Sequence, residues 1–240
     1  MSRCVDVLLS PPASSDLVRG AHVAVVDVLR ATTTIAVALA NGAEGVIAVA
    51  EPEDAIALGN RLGRERVLFC GERDAVRIEG FDLDNSPVSF TPERVAGKML
   101  VMTTTNGTRA LRAVSTAASV RTAALVNRLA VADALANEDG DVAIVCAGEA
   151  NGFALEDALG AGALVDALLA QIGDVELRDG ARAAALLYRS VASRLPDAIA
   201  SADHAQSLAH KGFAADITTS AALDTLTVVP TLRDGILSPA

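Results

Sequence analysis

The chain has 240 residues, 51% of them hydrophobic and only 2% aromatic, with 20 Lys and Arg against 30 Asp and Glu. That length suits one domain or two small ones, burying roughly 70–75% of the unfolded surface. A net charge of −10 without a basic run, and almost no rings for base stacking, excludes nucleic acid and anionic membranes as partners.

An anionic ligand would therefore need local arginines or a metal. Cys4, Cys70 and Cys146 are odd in number and far apart, so neither a disulfide framework nor a zinc site is signalled. The apolar run at the N-terminus is too short for a signal peptide, and no stretch approaches a membrane span. A soluble, cytoplasmic protein is expected.

Apolar runs predict strands near 4–9, 22–28, 45–50, 66–70, 98–103, 119–124, 141–146 and 225–229. Helical patterns fall at 34–41, 53–62, 92–96, 108–117, 127–137, 154–171, 180–193 and 202–211. Thr91-Pro92 reads as an N-cap followed by Pro at the first helical position, and Ser201 as a second N-cap. Strands that are apolar throughout, such as VAVVDV and VAIVCA, suit a sheet covered on both faces. The expected fold is α/β, with a largely parallel sheet in a single compact unit over residues 1–240.

Two segments, VAVVDVLRATTTIAVALANGA and VAIVCAGEANGFALEDALGAGALV, both run strand, polar corner, small-residue helix. An internal duplication with halves at about 1–118 and 119–240 would produce this. So would two βα units shaped alike by the same physics. The stretch 71–91 has no periodicity and is long for a loop. Its Ile78, Phe81 and Leu83 favour an ordered, functional segment.

In open α/β sheets ligands bind beyond the carboxyl ends of the strands. Four polar corners are expected there: Asp27 to Thr34, Gly71 to Ser86, Thr103 to Arg109, and Ala147 to Asp157. In the first, Asp27 could hold Mg²⁺ while Arg30, Thr32 and Thr33 hold phosphate oxygens at a helix start. Alternatively Thr32 only caps the helix and Asp27 pairs with Arg30 on the surface. In TTTNGTR, the groups of Thr104, Thr105, Asn106, Gly107, Thr108 and Arg109 exceed what one cap needs, and could cradle a phosphate. In the fourth corner Glu156 and Asp157 either complement a helix dipole or ligate a metal.

Several chemistries are disfavoured. No GxxxxGK[ST] or GxGxxG occurs at a strand-to-helix corner, which argues against a nucleotide site. DLDNS lacks the preceding apolar strand of an aspartyl-phosphate motif, and Cys70 is one residue too far from Arg77 for a Cys-x5-Arg nucleophile. His22, His204 and His210 form no pair with metal-ligand spacing and are expected at the surface or as satisfied core residues.

Taken in order, DVLRATTTI, GERDAVRIEGFDLDNSP, TTTNGTRAL, CAGEANGFALEDALGAGALVDAL and KGFAADI resemble the 2-phosphosulfolactate phosphatase family of coenzyme M biosynthesis, often called ComB. The resemblance covers nearly the whole chain. It implies a three-layer α/β/α fold of two similar halves and a Mg²⁺-dependent hydrolase releasing phosphate from 2-phosphosulfolactate. The catalytic set expected on this basis is Asp27, Arg30, Glu72 and Asp82, with water as nucleophile. Asp27, Glu72, Asp82 and Asp157 are the expected metal ligands. Thr32, Thr33, Arg73, Asn85, Ser86 and the residues of TTTNGTR would bind the small anionic substrate.

The family pattern reads closer to GERGG and GFDLGNSP, so Asp74 and Asp84 stand here where small residues are usual. Their charge bears on which anion is accepted. A non-catalytic binding module for a small phosphorylated acid would use the same corners. The oligomeric state stays open, a homo-oligomer included.

Overall fold

The structure is a computed structural model that describes residues 3–149, 152–173 and 175–240. Its strands are β1 (Arg3–Leu8), β2 (His22–Val26), β3 (Gly45–Ala48), β4 (Val67–Arg73), β5 (Val76–Arg77), β6 (Met99–Thr103), β7 (Ser119–Ala123), β8 (Val142–Cys146), β9 (Val175–Leu177), β10 (Pro230–Arg233) and β11 (Ile236–Pro239). The helices are α1 (Ala31–Ala40), α2 (Pro52–Leu62), α3 (Pro92–Val95), α4 (Gly107–Ala113), α5 (Arg128–Ala136), α6 (Leu155–Leu169), α7 (Asp179–Val191), α8 (Leu195–Ala200), α9 (Asp203–His210) and α10 (Ala214–Ser220). All strands join one sheet in the order β5-β4-β6-β3-β11-β10-β7-β2-β8-β1-β9.

The expectation of an α/β layer structure with apolar central strands holds, and for the expected reason. Ala24 and Val26 of β2 pack with α5, α6 and α7 on one face of the sheet. Val23 and Val25 pack with Ala110 and Val114 of the α4 segment on the other. Period-two alternation thus delivers apolar side chains to two separate cores, which a strand covered on both faces requires.

The sheet consists of two parallel blocks. One is β4-β6-β3, the other β7-β2-β8-β1-β9. Between them lies the hairpin β10–β11, antiparallel to both neighbours. Counting directions across it, the two blocks run in opposite senses. β2, from the first part of the chain, lies between β7 and β8, so the sheet does not divide at residue 118 and its topology does not separate two repeated halves.

The strand expected at 225–229 is a correction. The pairing strands are β10 and β11, joined by Asp234-Gly235 with φ of 50° and 82°. Two central residues at positive φ make the tight hairpin turn that Asp-Gly favours. Ser201 ends α8, and the cap of α9 is Ala202. Thr91 does precede Pro92 at the start of α3. The stretch 71–91 is ordered: β4 and β5 form a short hairpin, and Phe81 and Leu83 are buried.

Helix α6 is small-residue rich because α7 lies close against it. A Cβ at Gly162 would collide with the Ala184 carbonyl. Gly162→Ala is therefore expected to lower unfolding free energy by about 1–3 kcal/mol, the usual range for overpacking. Urea denaturation checks this; an unchanged midpoint would contradict the close α6–α7 packing.

Candidate active site

Asp27 leaves β2 fully committed to its corner on one side. Its Oδ1 accepts a hydrogen bond from the Ala31 amide at 3.0 Å. Its own amide donates to Thr32 Oγ1 at 2.9 Å, and that hydroxyl lies 2.8 and 2.7 Å from the carbonyl oxygens of Asp27 and Ala123. Thr33 donates to the Val28 carbonyl and Thr34 to the Asn85 carbonyl. Thr32 and Thr33, expected to hold phosphate, are thus turned inward. In a corner with few other donors, the buried carbonyls claim their hydroxyls.

Arg30 is 3% exposed, and its Nη1 donates to Asp216 Oδ2 at 2.8 Å. The guanidinium carbon sits 4.5 Å from the centre of the Phe213 ring. Ser86 Oγ donates to the other oxygen of Asp216 at 2.6 Å. The pair is buried and fully oriented, so the guanidinium presents a fixed edge to the cleft it lines. Ser86, expected to touch substrate, instead holds the aspartate that holds the arginine.

From the other block, Glu72 of β4 is anchored at both oxygens. Oε1 accepts from the amide and hydroxyl of Thr105 at 3.2 and 3.1 Å, and Oε2 from the Ala75 amide at 2.8 Å. Thr104 and Thr108 exchange reciprocal contacts of 3.4 Å between hydroxyl and amide, closing the start of α4. Gly107 is needed for a steric reason. A Cβ there would lie 2.7 Å from the Ala31 Cβ and 3.0 Å from Asp27 Oδ2. The two polar corners therefore meet directly.

These corners and α9 enclose a cleft of about 450 Å³. Of the expected site residues, Asp27, Arg30, Glu72, Asn85, Thr104, Thr105 and Asn106 line it. Asn85 Oδ1 is buried without a hydrogen-bond partner. Asp82, Arg73, Arg109 and Thr108 are among the expected residues that do not line it. Asp82 pairs with Arg64 at 2.8 Å and accepts from the Phe69 amide, so it braces the far side of β4. Arg73 lies against the Glu72 and Ala50 carbonyls and Glu51. Arg109 is exposed on the outer face of α4, and Thr108 is buried behind the cleft.

Asp157, expected as a metal ligand, does not line the cleft. Its oxygens accept from the Val28 and Gly148 amides at 2.8 and 2.9 Å, clamping the first and fourth corners together below the cleft. Sequence reasoning also missed Glu149, Asp203, His204 and Lys211, which line the cleft. His204 is therefore neither a surface nor a core residue; its Nδ1 pairs with Glu149 Oε1. Lys211 binds Asp74 Oδ1 at 2.6 Å, so the unusual Asp74 charge is neutralised at the mouth of the cleft. Asp84 caps its own turn through the Ser86 amide.

The cleft concentrates carboxylates. Burial pushes Asp27 up to about 6, against the Ala31 amide, with Glu72 adding to the rise. Burial pushes Glu156 up to about 7, reinforced by Glu149, Asp27 and Asp203. Asp157 is raised well above the usual range by burial, then by Asp27 and Glu156. Burial pulls His204 below its ordinary value, opposed by Glu149. Cys70 and Cys146 are buried and outside the cleft, and burial raises both thiols, so neither offers a thiolate.

A cleft at the strand ends of an α/β sheet, with a raised aspartate, a hydrogen-bonded imidazole and a locked arginine, defines a site for acid–base chemistry on a small polar molecule. The chain belongs to the 2-phosphosulpholactate phosphatase family, whose model matches residues 11–235. It is 41% identical to a probable 2-phosphosulfolactate phosphatase of Caldanaerobacter subterraneus subsp. tengcongensis, over 90% of this chain and 89% of that protein. Similar proteins of the same description occur in Symbiobacterium thermophilum, 42% identical over 94% and 96% of the two chains, and in a Synechococcus strain, 48% identical over 90% and 91%. Among the described residues no helix is long and apolar enough to cross a membrane.

Two outcomes follow from the buried charges. Asp27 and Glu156 have folded-state pKa values above their unfolded values, so between about pH 4 and 7 the native state binds more protons. Stability of the metal-free protein is then expected to fall as pH rises through that window, by roughly 3 kcal/mol for Asp27 alone. Thermal midpoints measured from pH 5 to 8 check this, and a rising midpoint would contradict it. Asp216→Ala strands the buried Arg30 charge and is expected to cost about 3–5 kcal/mol, read by denaturant titration.

Proposed function

We propose that this protein is a phosphomonoesterase that hydrolyses 2-phosphosulfolactate, or a closely related small phosphorylated acid, to the hydroxy acid and phosphate. A place in coenzyme M biosynthesis, where sulfolactate is formed, is part of this reading. The observation that carries the reading is Arg30, a buried guanidinium fixed by Asp216 and Phe213 at the wall of a carboxylate-rich cleft. Such a group binds a phosphate oxygen without reorganising. Lys211, at the mouth, suits the second anionic group of the substrate.

Mg²⁺ completes the proposal. Among the described residues no three His, Cys, Asp or Glu side chains converge as ligands. Mg²⁺ does not need three, because it keeps several waters and is held through one or two carboxylates plus substrate phosphate. Asp27 Oδ2 accepts no hydrogen bond among the described residues, and hard oxygen donors are the right type. Asp27 and Glu72 would hold the ion, which supplies positive charge to a phosphate oxygen. Asp82 and Asp157 have no part in this set.

Arg30 orients the phosphoryl group, and the inward-turned threonines keep the corner rigid around it. Asn85, with its unpartnered Oδ1, receives a donor from substrate or its water. Water attacks phosphorus and the ester P–O bond breaks. Phosphate release from 2-phosphosulfolactate, measured before and after EDTA stripping, tests the reading. Stripped enzyme is expected to be inactive and to recover with Mg²⁺. Asp27→Asn is expected to lower kcat/KM by at least about 100-fold. Full activity without metal, or no phosphate release by the metal-loaded wild type, contradicts it.

A further inference from the structure

Breaking an alkyl phosphate leaves an electron pair on a basic oxygen, which departs poorly unless it receives a proton. In the loose transition state of phosphoryl transfer the leaving oxygen carries much of the charge, while the attacking water gives up little. A general acid is therefore worth more here than a general base. Arg30 cannot serve, because a guanidinium does not deprotonate in proteins. Lys211 is engaged with Asp74.

His204 meets the requirements. It lies in the first turn of α9 and lines the cleft. Its Nδ1 is paired with Glu149 Oε1 from the corner after β8, which fixes the ring and its tautomer. Its Nε2 makes no hydrogen bond among the described residues. Burial and Arg30 disfavour the imidazolium, Glu149 and Glu72 favour it, and Asp203 is its neighbour on α9. This is the carboxylate–imidazole arrangement that leaves one ring nitrogen free to exchange a proton with substrate.

We propose that His204, oriented by Glu149, is the general acid that protonates the leaving oxygen. The inference rests on the phosphatase reading above. Water forms the new bond to phosphorus and the ester P–O bond breaks. The electron pair goes to the ester oxygen, and the Nε2 proton passes to that oxygen to complete the product hydroxyl. The proton lost by water goes to the released phosphate, and solvent reprotonates His204. Glu149 is a positioning residue.

The test compares two esters that differ in leaving-group basicity, 2-phosphosulfolactate and p-nitrophenyl phosphate, with Mg²⁺ present. His204→Asn is expected to lower kcat/KM about 100-fold or more on the alkyl ester, and less than about fivefold on the nitrophenyl ester, whose leaving group needs no proton. Glu149→Gln is expected to show the same pattern with a smaller loss. If His204→Asn does not fold, His204→Gln takes its place. Equal losses on both esters, or no loss on either, overturn the acid role. If the wild type hydrolyses neither ester, the phosphatase reading itself fails and the acid assignment falls with it.

Discussion

The approach of Gly107 to Asp27 is the constraint from which the site follows. β2 and β6 lie five positions apart in the sheet. On a flat sheet that is about 24 Å, at the usual strand spacing. Yet a Cβ at Gly107 would sit 3.0 Å from the Asp27 carboxylate. The sheet must curl across the β10–β11 hairpin, which joins each block through a single registered residue pair. The corners after β2 and β6 then meet although the two blocks run in opposite senses. Only a residue without a side chain fits where they touch.

What gathers there is an electrostatic problem that the protein solves on one side only. Arg30 is balanced by Asp216, and Lys211 by Asp74. Asp27 in the cleft, and Glu156 and Asp157 beneath it, form no ion pair among the described residues, and burial raises all three. A site that keeps its cations paired and its carboxylates protonatable is adapted to receive both a positive ion and an anion. The proposed pairing of Mg²⁺ with a phosphate ester supplies both at once. It also accounts for an acidic chain acting on a negatively charged substrate.

The sequence made legible what is local. Apolar runs and Thr-Pro or polar corners placed most strands, the helices that follow them, and the four corners, since these depend on neighbours in the chain. Asp27, Arg30, Glu72 and the 104–106 segment were named from such corners, and they line the cleft. Which polar residue reaches the cleft is decided by other means. Asp82 and Asp157 are acidic residues near strand ends, as Asp27 is. What separates them is where their carboxylates end up: Asp82 on Arg64 and Asp157 on the Val28 and Gly148 amides, both away from the cleft lining. Arg30 precedes α1 and is buried against Asp216, whereas Arg109 lies within α4 and is exposed. His204 and Lys211 come from α9 and the turn after it, carried to the cleft by tertiary packing that no local pattern announces. The Asp234-Gly235 turn of the terminal hairpin is a local signal of the first kind.

The central claim is that the two sheet blocks build one ligand site, and the most direct measurement is a backbone amide NMR titration with sulfolactate and Mg²⁺. The account predicts that amides of 27–31, from one block, and of 104–107, from the other, shift together and saturate with a single Kd. Shifts confined to one corner, or two corners saturating at different concentrations, would contradict it.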